Sequence, residues 1–187
     1  MNDFETEWQK MLNGEPYEAG RREFYDLLVR TRVIIKEYNE TAPDDAGRLT
    51  EILRGLLGSC GERVTMNQPF RCDYGCNIHV GEDFIANFNF TVLDEARVTI
   101  GDHAFIGPNV SIYTACHPLD PTERAKFTEW AEPVTIGDNV WIGGSVTILP
   151  GVTIGNNVVV GAGSVVAKDL PDNVVAVGNP ARIVKHI

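Results

Sequence analysis

The sequence lacks the features that mark secreted, membrane-spanning and nucleic-acid-binding proteins. The first residues, MNDFETEWQKML, contain no basic segment followed by an apolar run, so they do not resemble a signal peptide. No stretch approaches the roughly 18 consecutive apolar residues of a membrane span. No lysine or arginine run stands out, and 26 acidic against 16 basic residues leave a net charge of −10. We therefore expect a soluble, cytoplasmic protein whose main partners are neither nucleic acid nor membrane.

Cysteine is scarce and is not spaced for a structural zinc site. The four cysteines, Cys60, Cys72, Cys76 and Cys116, do not form paired CxxC motifs, and thiols are expected to stay reduced in the cytosol. A chain of 187 residues is long enough for one domain with a sizeable core.

The first part of the chain, residues 1–58, has the periodicity of helices. Apolar side chains recur three and four residues apart over 24–38 and again over 49–57. A shorter apolar stretch around Trp8 precedes them. We predict three short helices that together form an amino-terminal cap.

From Val80 onward the period changes to six residues. We count twelve positions at this spacing and restart the count at Ile100 and again at Ile136. All twelve residues are apolar, and eleven of them are valine or isoleucine. These positions are Val80, Ala86, Val92, Ile100, Ile106, Ile112, Ile136, Ile142, Ile148, Ile154, Val160 and Val166. The residue four places after each is mostly small or apolar as well. Two inward positions per hexapeptide predict short strands stacked into a mainly β solenoid, which we assign to residues 59–187.

Glycine adds a longer period of eighteen residues. Glycine directly follows most of the repeat positions, but the residue after every third repeat position is not glycine. Three strands and three corners per coil fit this pattern, and the glycine corners are expected to need positive φ or close backbone approach. Crossover connections are usually right-handed, and the spacing by itself does not overrule that.

The hexapeptide period stops at His117 and resumes in register at Ile136. The intervening loop, residues 118–135, has the length of one coil, so it interrupts the solenoid without shifting it. Long loops in compact repeat arrays are usually functional or disordered. Pro118, Pro121, Phe127 and Trp130 suit an ordered flap, and we interpret the loop as the wall of a cleft beside His117.

The sequence resembles the hexapeptide-repeat acyltransferases, and more narrowly the maltose/galactoside O-acetyltransferase group. The resemblance is carried by the repeats in NVWIGGSVTILPGVTIGNN, by the YTACHPLD segment, and by GNPAR in the carboxy-terminal tail, residues 172–187. The segment EWQKMLNGEPYEAGRREFYDLLV is similar to the helical cap of that group. The resemblance implies a left-handed parallel β-helix, a homotrimer, acetyl-CoA as the acyl donor and no metal.

Three residues match catalytic positions of that family. Acetyl transfer to an alcohol needs a base, an imidazole is neutral enough at pH 7 to serve, and the family's histidine matches His117. Asn87 matches an asparagine that stabilises the transition state, and Glu129 matches a loop glutamate that could orient the imidazole or the acceptor. Taken alone, His117 equally fits a surface histidine, Asn87 a residue that tolerates left-handed backbone geometry, and Glu129 a solvated acid.

By the same resemblance, the acceptor pocket involves Glu18, Asp73 and Glu95, together with Asn87. Carboxylates suit a sugar because they accept hydrogen bonds from vicinal hydroxyls. Glu18 stands where aspartate is usual and Asp73 where the galactoside enzyme has serine, so the identity of the sugar stays open. Each of these acids alone reads as a surface residue.

For the donor, coenzyme A needs an apolar groove for pantetheine and cations for its phosphates. The resemblance assigns these roles to Trp141, Gly144, Ala162, Ala167, Lys168, Arg182 and Lys185. Trp141 is predicted to face outward, because it holds the same position within its hexapeptide as His117, one coil later. It equally fits a contact between subunits of a trimer. Threonine is frequent in the family where Ala167 stands, and the basic residues alone read as solvated charges.

Other functions remain open. Cys116 could act as a nucleophile, but its inward fifth place in the repeat favours a small buried residue and direct transfer. A zinc carbonic-anhydrase-like solenoid would need three histidines, and His117 has no partner five residues on. A non-catalytic trimeric scaffold, and acetylation of an antibiotic or an oligosaccharide precursor, are further alternatives.

Overall fold

The computed structural model describes residues 3–187 and begins with the predicted helical cap. Helices α1 (Asp3–Leu12), α2 (Arg22–Glu40) and α3 (Ala46–Leu56) confirm the three amphipathic stretches. Asp45 caps α3, because its side chain accepts a hydrogen bond of 3.1 Å from the backbone N–H of Arg48. Within residues 3–187, none of the helices has the length and apolar character needed to cross a membrane.

Three parallel sheets form the walls of a solenoid after the cap. The first wall contains β4 (Ile78–Val80), β7 (Val98–Ile100), β12 (Val134–Ile136) and β15 (Thr153–Ile154). The second contains β2 (Val64–Met66), β5 (Phe84–Ala86), β8 (Phe105–Ile106), β13 (Trp141–Ile142), β16 (Val159–Val160) and β18 (Val174–Val177), to which β19 (Arg182–His186) adds antiparallel. The third contains β3 (Phe70–Cys72), β6 (Phe90–Leu93), β9 (Ser111–Tyr113), β14 (Thr147–Ile148) and β17 (Val165–Val166).

The predicted hexapeptide positions fill the interior of this solenoid. All twelve repeat-start residues are at most 4% exposed, which confirms the six-residue reading of the sequence. The strand register stacks them directly, since Ala86 pairs with Ile106, Ile106 with Ile142, and Ile142 with Val160. Burial of valine and isoleucine in this column is the main source of stability for the solenoid.

The corner glycines are needed for close approach between coils and not for positive φ. A Cβ on Gly101 would overlap Oδ1 of Asp138 and lie 2.8 Å from the carbonyl carbon of Gly137 in the next coil. Positive φ falls instead on the fourth residue of the hexapeptide, as at His103 (55°). Asn87 is not among the positive-φ residues of the described chain, so the left-handed reading of Asn87 is wrong.

The interruption of the solenoid begins four residues and ends two residues earlier than predicted. Strand β12 starts at Val134, so the loop ends before that residue and not at Thr135. Val134 pairs with Val98 and is fully buried, whereas Cys116 is only half-buried. The prediction that Cys116 fills an inward place was therefore wrong, because Val134 occupies that place.

The interrupting segment, residues 114–133, is called the flap below. It contains β10 (Ala115–Cys116), the short helix α4 (Pro121–Arg124) and β11 (Thr128–Ala131). Strand β11 pairs antiparallel with β10 on one side and with the cap strand β1 (Tyr17–Glu18) on the other. This small sheet fastens the flap to the cap.

The solenoid also extends beyond the hexapeptides found in the sequence. Strands β2 and β3 form a first coil, in which Asn67 stands at a corner that most later coils fill with glycine, and this difference hid the repeat. At the other end, β18 pairs with β16, so part of the predicted tail at 172–187 continues the second wall.

Candidate active site

One corner of the solenoid, between the third and first walls, is enlarged in successive coils. At an ordinary corner, three residues (149–151) separate one buried residue of the solenoid core from the next, whereas five residues do so at 73–77 and at 93–97. The flap leaves the next coil at the same corner. We call residues 73–77, 93–97 and 114–133 the flap corner, and most of the predicted acceptor and catalytic residues lie there.

Asp94 organises the flap corner from a fully buried position. Its Oδ1 accepts hydrogen bonds from the backbone N–H groups of Asp73 (3.1 Å) and Tyr74 (2.9 Å). Burial raises the pKa of Asp94 to about 6, although these hydrogen bonds favour the charged form. The sequence reading missed Asp94. Two extra residues between the repeat positions Val92 and Ile100 mark an irregular corner, and this irregularity could have drawn attention to Asp94.

Glu95 and Asp73 form a carboxyl pair beside Asp94. Glu95 is buried and Asp73 is half-buried at the edge of a cavity. Burial, followed by the charge and hydrogen bonding of Asp73, raises the pKa of Glu95 well above its ordinary range. At neutral pH Glu95 is therefore a protonated acid that can donate a hydrogen bond, while Asp73 can accept one.

The small antiparallel sheet brings Glu129 and His117 together. Ala115 pairs with Ala131 and Cys116 with Trp130, so one further step of the same register sets His117 opposite Glu129. Side chains opposite one another in an antiparallel pair point to the same face. His117 itself is exposed and accessible to a substrate.

Tyr17 completes this row from the cap. Tyr17 pairs with Glu129, and its hydroxyl donates a 3.0 Å hydrogen bond to Oε1 of that residue. Burial raises the pKa of Glu129 above its ordinary value, while the Tyr17 hydrogen bond and the nearby His117 oppose that shift. Tyr17 is buried, and the sequence reading missed it because an aromatic residue before a cap helix reads as ordinary core.

Glu18 lies in the same sheet but does not join the row. Its side chain is 76% exposed and forms a loose ion pair of 3.7 Å with Arg21. Because side chains alternate along a strand, Glu18 faces away from the side that carries Tyr17. Its backbone N–H donates a 2.8 Å hydrogen bond to the buried carboxylate of Glu7, which fixes the strand.

Asn87 lies at the opposite edge of the third wall, at the corner between the second and third walls. Its backbone N–H donates to the carbonyl of Ile106 at 2.9 Å, and its Oδ1 accepts from the N–H of Phe88 at 2.8 Å. Within one chain, the width of the third wall separates Asn87 from His117.

The predicted donor residues divide between two faces. Trp141 is 58% exposed on the second wall, in an outward column with Ile85 and Phe105. Gly144 and Ala162 stack at the corner between the second and third walls. The placement of Trp141 one coil after His117 was wrong, because Trp141 follows on the next wall and His117 lies on the flap.

The remaining donor residues lie elsewhere. Ala167 and Lys168 are exposed after β17, at the same corner of the solenoid as the flap and two coils further along. Arg182 and Lys185 are exposed on β19. One chain therefore does not bring the second-wall residues next to His117.

Two observations bear on the alternative chemistries. Burial raises the pKa of the Cys116 thiol, with Glu132 and Glu129 adding to the shift, so the thiolate is disfavoured. No group of three or more His, Cys, Asp or Glu side chains that could hold a metal ion occurs within residues 3–187.

Family models match both parts of the chain. Residues 10–61 match the maltose acetyltransferase hexapeptide capping motif, and residues 133–168 match the bacterial transferase hexapeptide, six repeats.

Individual proteins match over most of their length. A maltose O-acetyltransferase from Clostridium difficile 630 is 49% identical, with a TM-score of 0.95 over 97% of both chains. A hexapeptide-repeat acetyltransferase from Vibrio cholerae O1 biovar eltor, complexed with acetyl coenzyme A, is 38% identical with a TM-score of 0.89, over 96% of this chain and 97% of that one. The galactoside O-acetyltransferase of Escherichia coli strain K12 is 42% identical over 159 residues, which are 85% of this chain and 78% of that protein.

Proposed function

Because this chain belongs to the family of hexapeptide-repeat maltose and galactoside O-acetyltransferases, we propose that it acetylates a sugar hydroxyl with His117 as the general base. The observation that carries the proposal is the row Tyr17–Glu129–His117, which lies at the same corner as the Asp73–Glu95 carboxyl pair. The proposed base and the carboxyl groups proposed to bind the sugar thus lie at one corner.

In the proposed reaction, His117 removes the proton from the acceptor hydroxyl as its oxygen attacks the thioester carbonyl of acetyl-CoA. The tetrahedral intermediate then collapses, the carbon–sulfur bond breaks, and the thiolate of coenzyme A takes the proton back from the imidazolium. Ionised Glu129, held by Tyr17, orients the imidazole and stabilises its charged form. Transfer is direct, without an acetylated Cys116.

The acceptor is proposed to bind at the flap corner. Asp73 accepts hydrogen bonds from sugar hydroxyls, and protonated Glu95 donates one, so neighbouring hydroxyls meet complementary partners. Glu18 stands at the rim of the same small sheet and contacts only the part of an acceptor that extends toward solvent.

The donor site is proposed to form between copies of the chain in a homotrimer. Trp141 presents an exposed ring on the second wall, and at the corner that follows, Gly144 has no side chain and Ala162 only a methyl group, which leaves room for a pantetheine arm. Exposed Ile85 and Phe105 continue this apolar second wall, which a neighbouring subunit would cover. A second copy would then supply the second-wall residues to His117.

Other donor contacts follow from the same arrangement. Asn87 would stabilise the developing oxyanion from the neighbouring copy. Lys168, Arg182 and Lys185 would meet the phosphates, and Ala167 the pantetheine. Acetyl-CoA is a cosubstrate in this scheme, and the cytoplasmic location expected from the sequence stays a prediction.

The test is thiol release from acetyl-CoA in the presence of maltose, glucose, a β-galactoside, an oligosaccharide or an antibiotic alcohol. We expect turnover with a sugar, none without acceptor, and a trimer by light scattering. Turnover only with the antibiotic alcohol would overturn the sugar assignment, and a monomeric active enzyme would overturn the shared donor site. Stoichiometric zinc in active protein would favour the metalloenzyme alternative.

A further inference from the structure

A cavity of about 460 Å³ opens between helix α2 and the third wall, directly beside Asp73. Arg71, Thr91 and Leu93 form its floor on the outward face of β3 and β6. Arg32 and Lys36 line it from α2. The volume lies within the range of small-molecule sites in proteins.

Three cationic side chains and two carboxylates, those of Asp73 and Glu40, line this cavity, so its lining has a net positive charge in a chain whose net charge is −10. Over residues 3–187, neither Arg32 nor Arg71 has a carboxylate within ion-pair distance. Lys36 has only Glu40, at 3.8 Å, one turn further along the same helix. The guanidinium groups of Arg32 and Arg71 are thus free to bind an anion.

The two sides of the cavity are held in place by hydrogen bonds. Asn39 of α2 donates from Nδ2 to the carbonyl of Phe70 at 2.9 Å and accepts from the N–H of Phe70 at 2.9 Å. The hydroxyl of Tyr38 donates to the carbonyl of Met66 at the end of β2, which also fixes α2 to the second wall. The distance between α2 and the third wall is therefore set by the fold before any ligand binds.

The cavity is continuous with the proposed acceptor site through Asp73. Arg71 and Asp73 are two residues apart at the end of β3, which places them about 7 Å apart on the outward side of the chain. A ligand whose hydroxyls bind Asp73 therefore reaches the cations within about one sugar ring.

We propose that this cavity binds an anionic group of the acceptor: a phosphate, sulfate or carboxylate carried near the sugar unit that is acetylated. The inference rests on the proposed function and narrows its substrate class to acidic saccharides. The planar guanidinium of each arginine can bind the oxyanion in bidentate fashion, Lys36 adds a point charge, and the Thr91 hydroxyl can donate a further hydrogen bond.

The test compares maltose with maltose 6′-phosphate as acceptors, in wild type and in the double variant Arg32→Gln/Arg71→Gln. We expect wild type to have at least about tenfold higher kcat/KM for the phosphorylated sugar, and the variant to lose that preference while retaining its rate with maltose. The preference should also fall as salt is added, because exposed charges are screened. Both arginines are exposed, so the variant is expected to fold.

Arg54→Gln serves as the matched control, since Arg54 is an exposed arginine of the cap outside the cavity. Equal kcat/KM for the two sugars in wild type, or an unchanged preference in the double variant, overturns the inference while turnover of maltose upholds the proposed function. If neither sugar is acetylated, the proposed function fails. Calorimetry then tests separately whether the cavity binds the phosphorylated sugar. Binding of maltose 6′-phosphate that the double variant weakens at least tenfold supports it, and absence of binding overturns it.

Discussion

The hydroxyl of Tyr17 donates a 3.0 Å hydrogen bond to Oε1 of Glu129, although the two residues lie 112 positions apart in the sequence. Tyr17 comes from the cap and Glu129 from the flap, and the pairing of β1 with β11 holds them in register. The cap thus does more than cover the end of the solenoid. It positions the acid that stands opposite His117.

Replacing Tyr17 with Phe should reduce kcat/KM by about fivefold, the effect of losing one hydrogen bond worth about 1 kcal/mol. Without that bond the pKa of Glu129 rises further, because the Tyr17 hydrogen bond opposes the effect of burial. Glu129 then ionises only at higher pH, so the acidic limb of the pH–rate profile should move to higher pH.

The pH profile of kcat/KM is the measurement for this prediction. Tyr25→Phe is the control, since Tyr25 is exposed on α2, and it should leave both the rate and the profile unchanged. An acidic limb that stays in place in Tyr17→Phe would show that Glu129 does not govern it.

Replacing His117 with Ala should reduce kcat by roughly 10²–10⁴ with little change in folding, because the side chain is exposed. Steady-state thiol release, with circular dichroism to verify the fold, measures both effects. His103→Asn is the control, since this corner residue has a φ of 55° that asparagine tolerates. A His117→Ala enzyme with near-wild-type turnover would remove His117 as the base.

Replacing Glu95 with Gln should stabilise the protein at pH 8 and change the acceptor KM little, because the amide group can still donate a hydrogen bond to the acceptor. Burial raises the pKa of Glu95 above its ordinary value of 4.5, so the folded state holds this proton more tightly than the unfolded state. The free energy of unfolding therefore falls as pH rises above about 5. The variant should lose that dependence and gain about 1–3 kcal/mol at pH 8.

Thermal unfolding from pH 5 to pH 8, at one protein concentration, measures this effect, and acceptor KM is measured in parallel. Asp94 contributes in the same direction up to its pKa of about 6, so some slope should remain in the variant below that pH. A variant that is less stable than wild type at every pH would contradict the prediction.

Two glycine-to-alanine changes should have opposite effects on stability. Gly101→Ala should destabilise by about 1–3 kcal/mol, because the new Cβ meets Asp138, whose Oδ1 accepts a 2.8 Å hydrogen bond from the N–H of Asp102. Gly55→Ala should stabilise by about 0.5–1 kcal/mol, since Gly55 lies within helix α3 with open space around it. Urea unfolding measures both, and a change of the same sign in the two variants would refute the steric account.

The repeat reading located the flap and the core, but the residues that organise the site were found only in part. His117, Asp73, Glu95 and Glu129 lie at one corner, and their roles in acetyl transfer stay predictions. Asp94 was missed, since an aspartate in an irregular corner has no periodic signal. Its role depends on which backbone N–H groups of the preceding coil lie beneath it.

The sequence by itself determined the solenoid and the helices. Both depend on local patterns: valine or isoleucine recurs every six residues in the solenoid, and apolar residues recur every three to four in the helices. Only the tertiary structure decided that Val134 and not Cys116 fills the core, and that Tyr17 reaches Glu129. These outcomes depend on contacts between segments far apart in sequence. Packing in three dimensions determines which residue is buried in the core, and the loss of surrounding water determines which carboxyl group has a raised pKa.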